Sequence, residues 1–139
     1  MDKETQVIKM YKEYIGAKSI FGDACLILPS TPQSFSKFPT IVIKEKETPE
    51  IVKTTSFDRS EYADSNVYQI DIYAKDITIG NTKYASRSVI NELKRLSFDF
   101  IRKYGYTRSV STQGETLDTS VKRYIIVFNG ITRSWNTSL

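Results

Sequence analysis

Residues 66–76, NVYQIDIYAKD, alternate between two kinds of side chain, and this alternation decides the fold. Successive side chains of an extended strand point to opposite sides of a sheet. One face of a strand here would carry Tyr68, Ile70, Ile72 and Ala74, and the other would carry Val67, Gln69, Asp71 and Tyr73. The pattern predicts a strand with one face in the core and an amphipathic second face.

The chain before this strand predicts one helix and two or three strands. Apolar residues spaced by three and four over residues 7–15 predict a helix, with Gly16 as its left-handed C-terminal residue. The apolar run 25–28 and the segment 40–47, TIVIKEKE, predict two strands separated by a proline-containing loop. Residues 48–65 are compatible with either a further strand or a polar, turn-rich segment, and we favour a long hairpin-like excursion.

The chain after the strand predicts a long helix and two more strands. Apolar residues spaced by three or four over residues 85–104 predict a helix that ends at Gly105, with Asn81 or Thr82 as its N-cap. The last two predicted strands are YTRSVS, residues 106–111, and SVKRYIIVFNGIT, residues 120–132. The connection between them is long enough to protrude.

This order predicts an α+β fold. Runs of strands on either side of a long helix are typical of two helices packed on one face of a mixed, mainly antiparallel sheet, in the order α-β-β-(β)-β-α-β-β. A chain of 139 residues suits one core. We assign residues 1–132 to a single domain and residues 133–139 to a flexible tail. Cys25 is expected to be a buried free thiol.

The composition argues against most enzyme classes. The chain has no histidine and one cysteine, so it lacks the commonest general base and the commonest zinc ligands. No phosphate-binding glycine loop or nucleophile elbow occurs. We therefore predict a non-enzyme with no catalytic residue, no metal and no cofactor. A magnesium enzyme is a weak alternative, and its candidate ligands are Asp58, Glu61, Asp64, Asp71 and Asp76.

Charge is unevenly distributed along the chain. Residues 1–82 carry 10 basic and 12 acidic groups, whereas residues 83–139 carry 10 basic and 4 acidic groups. The basic half is therefore expected to face an acidic surface, with a merely solvated face as the plainer explanation. A small nucleic-acid-binding regulator that uses helix 83–104 is the alternative function. Its basic residues would be Lys83, Arg87, Lys94, Arg95, Arg102 and Lys103.

Three segments in this order resemble a known family. They are RSEYADSNVYQIDIYAKD (59–76), the helix end RKYGYTRSVS (102–111) and DTSVKRYIIVFNGIT (118–132). Together they resemble the tail terminator and neck proteins of long-tailed bacteriophages and of phage-derived contractile particles, over roughly residues 5–132. Neighbouring families at the head-tail joint share this pattern, so terminator and joining protein both remain open.

The resemblance implies a structural role. It implies a virion subunit that forms a six-membered ring on the head-proximal end of the tail tube, stops tube polymerisation and joins the tail to the head. The implied partners are further copies of the chain, the tube protein and the head-tail connector or neck protein, with the tail sheath as a further candidate. DNA would pass through the ring without specific recognition. The implied location is the tail neck, assembled in the bacterial cytoplasm and away from membranes, since the chain shows neither a signal peptide nor a membrane-length apolar run.

A ring of identical subunits needs two unlike patches on each subunit. The acidic N-terminal and basic C-terminal portions are candidates, and residues 48–64 and 112–120 are candidate arms that add to a neighbour's sheet edge. We expect the second face of strand 66–76 to be buried only on assembly. The candidate interface residues are Arg59, Glu61, Val67, Gln69, Asp71, Tyr73, Arg108 and Arg123. The plainer alternative is that the charged members are exposed and contribute under ~1 kcal/mol each.

Overall fold

A computed structural model describes residues 3–21, 24–46, 67–116 and 118–129. The elements are α1 (Lys3–Lys18), β1 (Leu26–Leu28), β2 (Thr40–Lys46), β3 (Val67–Ala74), β4 (Ile77–Ile79), β5 (Thr82–Tyr84), α2 (Ser86–Lys103), β6 (Thr107–Gly114) and β7 (Lys122–Asn129). This order confirms the predicted α+β class, with the short hairpin β4–β5 in addition. The optional strand after β2 and the proposed tail lie outside the described residues.

Five strands form one mixed sheet in the order β1-β2-β3-β7-β6. Strand β1 runs parallel to β2, and the other neighbours are antiparallel. The register places Ile43 opposite Ile70, and Ile70 opposite Ile126, across the three central strands. The strand that decides the sequence interpretation, β3, is therefore the middle strand of the sheet.

Both helices contribute to a core on one face of this sheet. From β3 the core takes Tyr68, Ile70, Ile72 and Ala74, the inward face that the alternation predicts. The helices supply Val7, Tyr11 and Ile15 from α1, and Val89, Leu93 and Phe100 from α2. The period-two pattern of β3 and the three-to-four spacing of both helices are thus confirmed as core signals.

Phe100 is the centre of this core. Its ring makes edge-on contacts with Tyr11, at a centroid distance of 5.2 Å, and with Phe128, at 6.5 Å. It also lies 5.0 Å from the ring of Tyr104. Aromatic rings prefer such edge-on and tilted arrangements over direct stacking. One α2 side chain therefore links α1, the end of α2 and the sheet.

A buried hydroxyl pair also joins the two helices. The Ser97 hydroxyl donates to the Leu93 carbonyl at 2.8 Å, so the Tyr11 hydroxyl, 2.7 Å from Ser97 Oγ, is the donor to that oxygen. Both side chains are fully buried. Burial raises the pKa of Tyr11 well above its ordinary value, more than the Ser97 hydrogen bond lowers it.

Replacing Ser97 with alanine is expected to lower the free energy of unfolding by about 1–3 kcal/mol, because the Tyr11 hydroxyl then stays buried without an acceptor. Urea denaturation followed by circular dichroism measures this loss. The double variant Ser97→Ala with Tyr11→Phe removes both polar groups and should recover part of it. Equal stability of the single variant and the wild type would contradict the assigned hydrogen bond.

The sequence predicts three helix ends: the C-terminus of α1, the C-terminus of α2 and the N-cap of α2. The prediction is confirmed only for the C-terminus of α2. Helix α1 continues past Gly16 to Lys18, and the Ser19 amide donates to the Ile15 carbonyl at 2.9 Å, so Gly16 is not a C-terminal residue. At the end of α2, by contrast, Gly105 has a φ of 75°. The Tyr106 amide there donates to the Ile101 carbonyl at 2.9 Å, which is the expected glycine-terminated end.

The predicted N-cap of α2 is wrong, because residues 77–84 form the β4–β5 hairpin, in which Thr82 pairs with Ile79. Gly80 turns this hairpin with a φ of 61°. The cap position belongs to Ala85, whose side chain makes no capping bond. Instead, the Asp76 carboxylate accepts the Ser86 amide at 2.7 Å. The first backbone amide of α2 is thus hydrogen-bonded by a side chain that lies nine positions before the cap position.

Candidate functional site

The sheet face opposite the helices is partly covered by the loop between β1 and β2. Phe35 stacks on Phe38 at a centroid distance of 5.4 Å and lies 4.7 Å from the ring of Tyr73. These rings pack against a second apolar cluster that includes Val42 and Val121. This face is therefore a second, smaller core at the end of the sheet where β3 finishes.

Beside this cluster, Asp71 and Arg123 form an ion pair in which the carboxylate is buried and the guanidinium is partly buried. Arg123 Nη2 lies 3.2 Å from Asp71 Oδ1, and only 1 % of the Asp71 side chain is exposed. Gln69 Nε2 lies 3.1 Å from each carboxylate oxygen. The β3–β7 register places Tyr73 directly opposite Arg123, which brings the guanidinium diagonally towards Asp71.

The packing around Arg123 fixes its orientation. Its guanidinium lies 5.5 Å from the centroid of Tyr73. On the other side, a Cβ atom at Gly114 would lie 2.7 Å from Arg123 Cδ, so a side chain there would displace Arg123 from this position. Burial, and then the Asp71 carboxylate, raise the pKa of Tyr73. Asp71 is thus engaged by a cation and an amide rather than left as a free base.

Five of the eight candidate interface residues share this sheet face by register and alternation: Val67, Gln69, Asp71, Tyr73 and Arg123. The expectation that this face is buried only on assembly is wrong for Asp71 and Tyr73, which are 1 % and 7 % exposed within a single chain. Tyr73 is covered by the loop residue Phe35, 38 positions away in sequence. Val67 and Gln69 are half-buried. Arg59 and Glu61 lie outside the described residues.

Arg108 lies apart from this group. Its guanidinium carbon is 4.1 Å from the ring centroid of Phe98, on α2. A register irregularity between Arg108 and Val110 interrupts the β6–β7 pairing next to it. Arg108 therefore lies at the helix side of the sheet and does not join Asp71 and Arg123.

Strand β6 is the outer strand of the sheet, and among the described residues its one strand partner is β7. Six of its eight positions are exposed, including Val110 at 51 %, and the other two are half-buried. A long exposed edge strand presents unpaired amide and carbonyl groups to any extended segment that approaches. Among the described residues, β6 is the longer of the two edge strands of the five-stranded sheet, with eight residues against three in β1.

The predicted arm at residues 112–120 is wrong for residues 112–114. Strand β6 continues to Gly114, so residues 112–114 pair with β7 of the same chain. The connection that follows is held by Asp118, whose carboxylate accepts the Ser120 amide at 2.9 Å and the Ser120 hydroxyl at 2.7 Å. These two bonds lower the pKa of Asp118. The other proposed arm, residues 48–64, lies outside the described residues.

The basic residues of segment 83–104 are partly neutralised. Lys83 belongs to β5 rather than to the helix. Arg95 pairs with Glu92 at 3.0 Å and with Asp99 at 3.4 Å, and Arg102 pairs with Asp99 at 2.6 Å. These pairs are exposed, so each contributes little to stability, but they reduce the positive charge of this part of α2.

A concave surface between α2 and the β6–β7 hairpin carries more positive charge than the part of α2 around Arg95 and Arg102. We call it the basic cleft; its volume is about 690 Å³. Its charged lining residues are Arg87, Lys94, Glu115, Lys122 and Arg123. The sequence interpretation missed this cleft, although the spacing of Arg87, Asn91 and Lys94 places them on one side of α2.

The cysteine and the suggested magnesium ligands are the other titratable groups that the sequence singles out. Cys25 is half-buried rather than fully buried, and burial raises its pKa to about 12. Among the suggested magnesium ligands, Asp71 pairs with Arg123 and Asp76 accepts the Ser86 amide, whereas Asp58, Glu61 and Asp64 lie outside the described residues. Within the described ranges, no three potential ligands gather into a metal site.

No helix among the described residues is both long and apolar enough to cross a membrane. No model of a known protein family matches the chain, and no curated protein matches it either.

Proposed function

We propose that this chain is a structural subunit that forms a ring, of six copies by its resemblance, at the head-proximal end of a phage tail tube. There it ends tube polymerisation and joins the tail to the head connector. The observation that carries the proposal is the exposed edge strand β6 of the α+β subunit. Such an edge gives one flank of each subunit a main-chain surface to which a neighbour can add.

The described parts of the three motifs that carry the resemblance lie next to one another in the structure. The motif 59–76 includes β3, the motif 102–111 spans the end of α2 and the start of β6, and the motif 118–132 includes β7. Strands β3, β7 and β6 are consecutive neighbours in the sheet. The described parts of these motifs, although far apart in sequence, therefore lie side by side in one sheet, and this arrangement supports the proposal.

The two edges of the five-stranded sheet, β6 and β1, differ in length, and a ring requires two different flanks on each subunit. Strand β6 has eight residues and lies at one edge, whereas β1 has three and lies at the other. A subunit with unlike flanks forms head-to-tail contacts that close into a ring when the rotation permits. The unequal charge of the two chain halves adds a second difference between the contact surfaces.

The proposal is tested with the full-length chain and tail tubes purified from the phage or particle that encodes it. We expect native mass spectrometry to detect a closed oligomer, alone or with tubes. We expect negative-stain microscopy to show one ring at one end of each tube. Addition of the chain to polymerising tube protein should also shorten the tubes. A chain that stays monomeric with tubes present and leaves their length unchanged would refute the proposal.

A second candidate function is binding of nucleic acid, and the basic cleft is the observation that favours it. Phosphate contacts would give an affinity that falls steeply with salt. Electrophoretic mobility shift with duplex DNA and with RNA at low ionic strength tests this function directly. Undetectable binding there would remove it.

A further inference from the structure

The basic cleft is built from two elements that meet at one end of the sheet. Helix α2 supplies Arg87, Asn91 and Lys94, and the β6–β7 hairpin supplies Gln113 and Lys122. All of these side chains except Lys94 are exposed. The cleft therefore offers amide and ammonium donors to a ligand that enters from solvent.

Its positive charge is largely uncompensated. Arg123 is paired with Asp71, so its charge is already matched. Within the described part of the chain, Arg87, Lys94 and Lys122 form no salt bridge, and Lys94 lies instead over the Tyr124 ring at 4.9 Å. Glu115 is the one carboxylate among the lining residues that the structure describes. Three cations against one anion in a concave site attract a ligand with several negative groups.

The sequence contains a matching acidic segment. Residues 58–64, DRSEYAD, carry three carboxylates and one guanidinium. They belong to the twenty residues, 47–66, that connect β2 to β3. Lys46 and Val67 are direct partners in the sheet, so this connection leaves and re-enters the fold at the same end. The attachment point of the acidic segment is thus known from described residues alone.

That attachment point lies at the opposite end of the sheet from the basic cleft. Val67 pairs with Asn129, whereas Ala74 pairs with Lys122, seven residues further along β3. At ~3.3 Å per residue, the two ends are about 23 Å apart. Asp64 is three residues before Val67 and can extend only about 10 Å from it. Asp64 therefore does not reach the basic cleft of its own chain, and Glu61, six residues before Val67, extends only about 20 Å. Asp58, nine residues before Val67, can extend about 30 Å, so the three carboxylates together can occupy the cleft only from another copy of the chain.

We propose that the basic cleft binds the carboxylates of residues 58–64 of a second copy of this chain. This inference rests on the proposed ring and names the contact between its neighbours. A donor at one end of the sheet and an acceptor at the other make a head-to-tail contact, the kind that generates rings. The Glu115 carboxylate at the cleft and the adjacent β6 edge favour a peptide over a phosphate backbone, because the edge offers main-chain hydrogen bonds that only a peptide can pair.

The test uses a fluorescein-labelled peptide of residues 56–66, SFDRSEYADSN, and fluorescence anisotropy. The receptor is the full-length chain carrying D58N, E61Q and D64N, so that its own segments do not compete. We expect saturable binding that weakens as salt is raised. A labelled peptide with the same three replacements should bind at least tenfold more weakly.

Two receptor variants separate the cleft from general positive charge. Arg87→Ala combined with Lys122→Ala should weaken peptide binding at least tenfold, whereas Lys83→Ala, which removes an exposed lysine on β5, should leave it unchanged. Circular dichroism establishes that all variants are folded. Equal binding of the acidic and neutral peptides, equal binding by the cleft and control variants, or displacement of the peptide by duplex DNA at lower concentration than by unlabelled peptide would each overturn the inference.

The outcomes also separate this inference from the proposed function. If the full-length chain forms rings on tubes but the peptide does not bind, the inference fails and the proposed function stands. If the peptide binds at the cleft but the chain neither forms rings nor shortens tubes, the proposed function fails and the cleft is a site for acidic peptides in another setting.

Discussion

Replacing Asp71 with alanine is expected to lower the free energy of unfolding by about 3–5 kcal/mol. The variant leaves Arg123, which is 25 % exposed, without its carboxylate and still held between Tyr73 and Gly114. A partly buried cation without a counter-charge destabilises the folded state far more than an exposed ion pair stabilises it. Guanidinium denaturation of the full-length chain, followed by far-ultraviolet circular dichroism, measures the loss.

The double variant Asp71→Leu with Arg123→Met is the control. It removes both charges and fills the site with apolar groups, so its stability should approach that of the wild type. The losses of Asp71→Leu alone and Arg123→Met alone should therefore add up to more than the loss of the double variant, by more than about 1 kcal/mol. If Asp71→Ala unfolds like the wild type and yet fails to form oligomers, Asp71 belongs to a subunit contact and not to the fold of one chain.

The inward half of the fold was predictable because its signals are local. In β3 the period of two places Ile70 and Ile72 on one face, and no tertiary contact is needed to read that pattern. The same holds for α2, where the spacing up to Phe100 and the glycine at 105 define the buried side and the end. Local periodicity is thus enough to predict most of the residues that β3 and α2 contribute to the core.

The second face of β3 was not predictable to the same degree, because its cover comes from a distant segment. Phe35 and Phe38 are separated from Tyr73 by the whole of β2 and the connection that follows it. The sequence pattern of β3 does not show whether a distant loop covers its second face. The alternation predicts two unlike faces, but which residues of the second face are exposed depends on long-range packing.

The interaction site was predictable only in outline. The charge asymmetry pointed to the C-terminal half, yet Arg87 and Lys122 are 35 positions apart and meet only because α2 lies beside the start of β7. Conversely, the lysine and arginine residues of α2 looked equivalent in sequence. The structure separates Arg95 and Arg102, which have carboxylate partners, from Arg87, for which the described residues show none.

The second large effect is expected for Phe100→Ala, with a loss of about 3–5 kcal/mol in the free energy of unfolding. Phe100 is fully buried and touches rings from α1, from the end of α2 and from β7. Its removal leaves a cavity at the point where both helices meet the sheet. Since the basic cleft depends on the position of α2 against β7, the variant should also bind the acidic peptide less well.

Phe98→Ala provides the matched control for Phe100→Ala. Phe98 lies two residues away on the same helix, is half-buried, and packs against the Arg108 guanidinium at the margin of the core. Phe98→Ala should lower the free energy of unfolding by roughly half as much as Phe100→Ala, because the loss of stability grows with the size of the cavity that the removed ring leaves. Thermal and chemical denaturation of both variants test this order. Equal losses, or a larger loss for Phe98→Ala, would mean that the junction of helices and sheet is centred elsewhere than on Phe100.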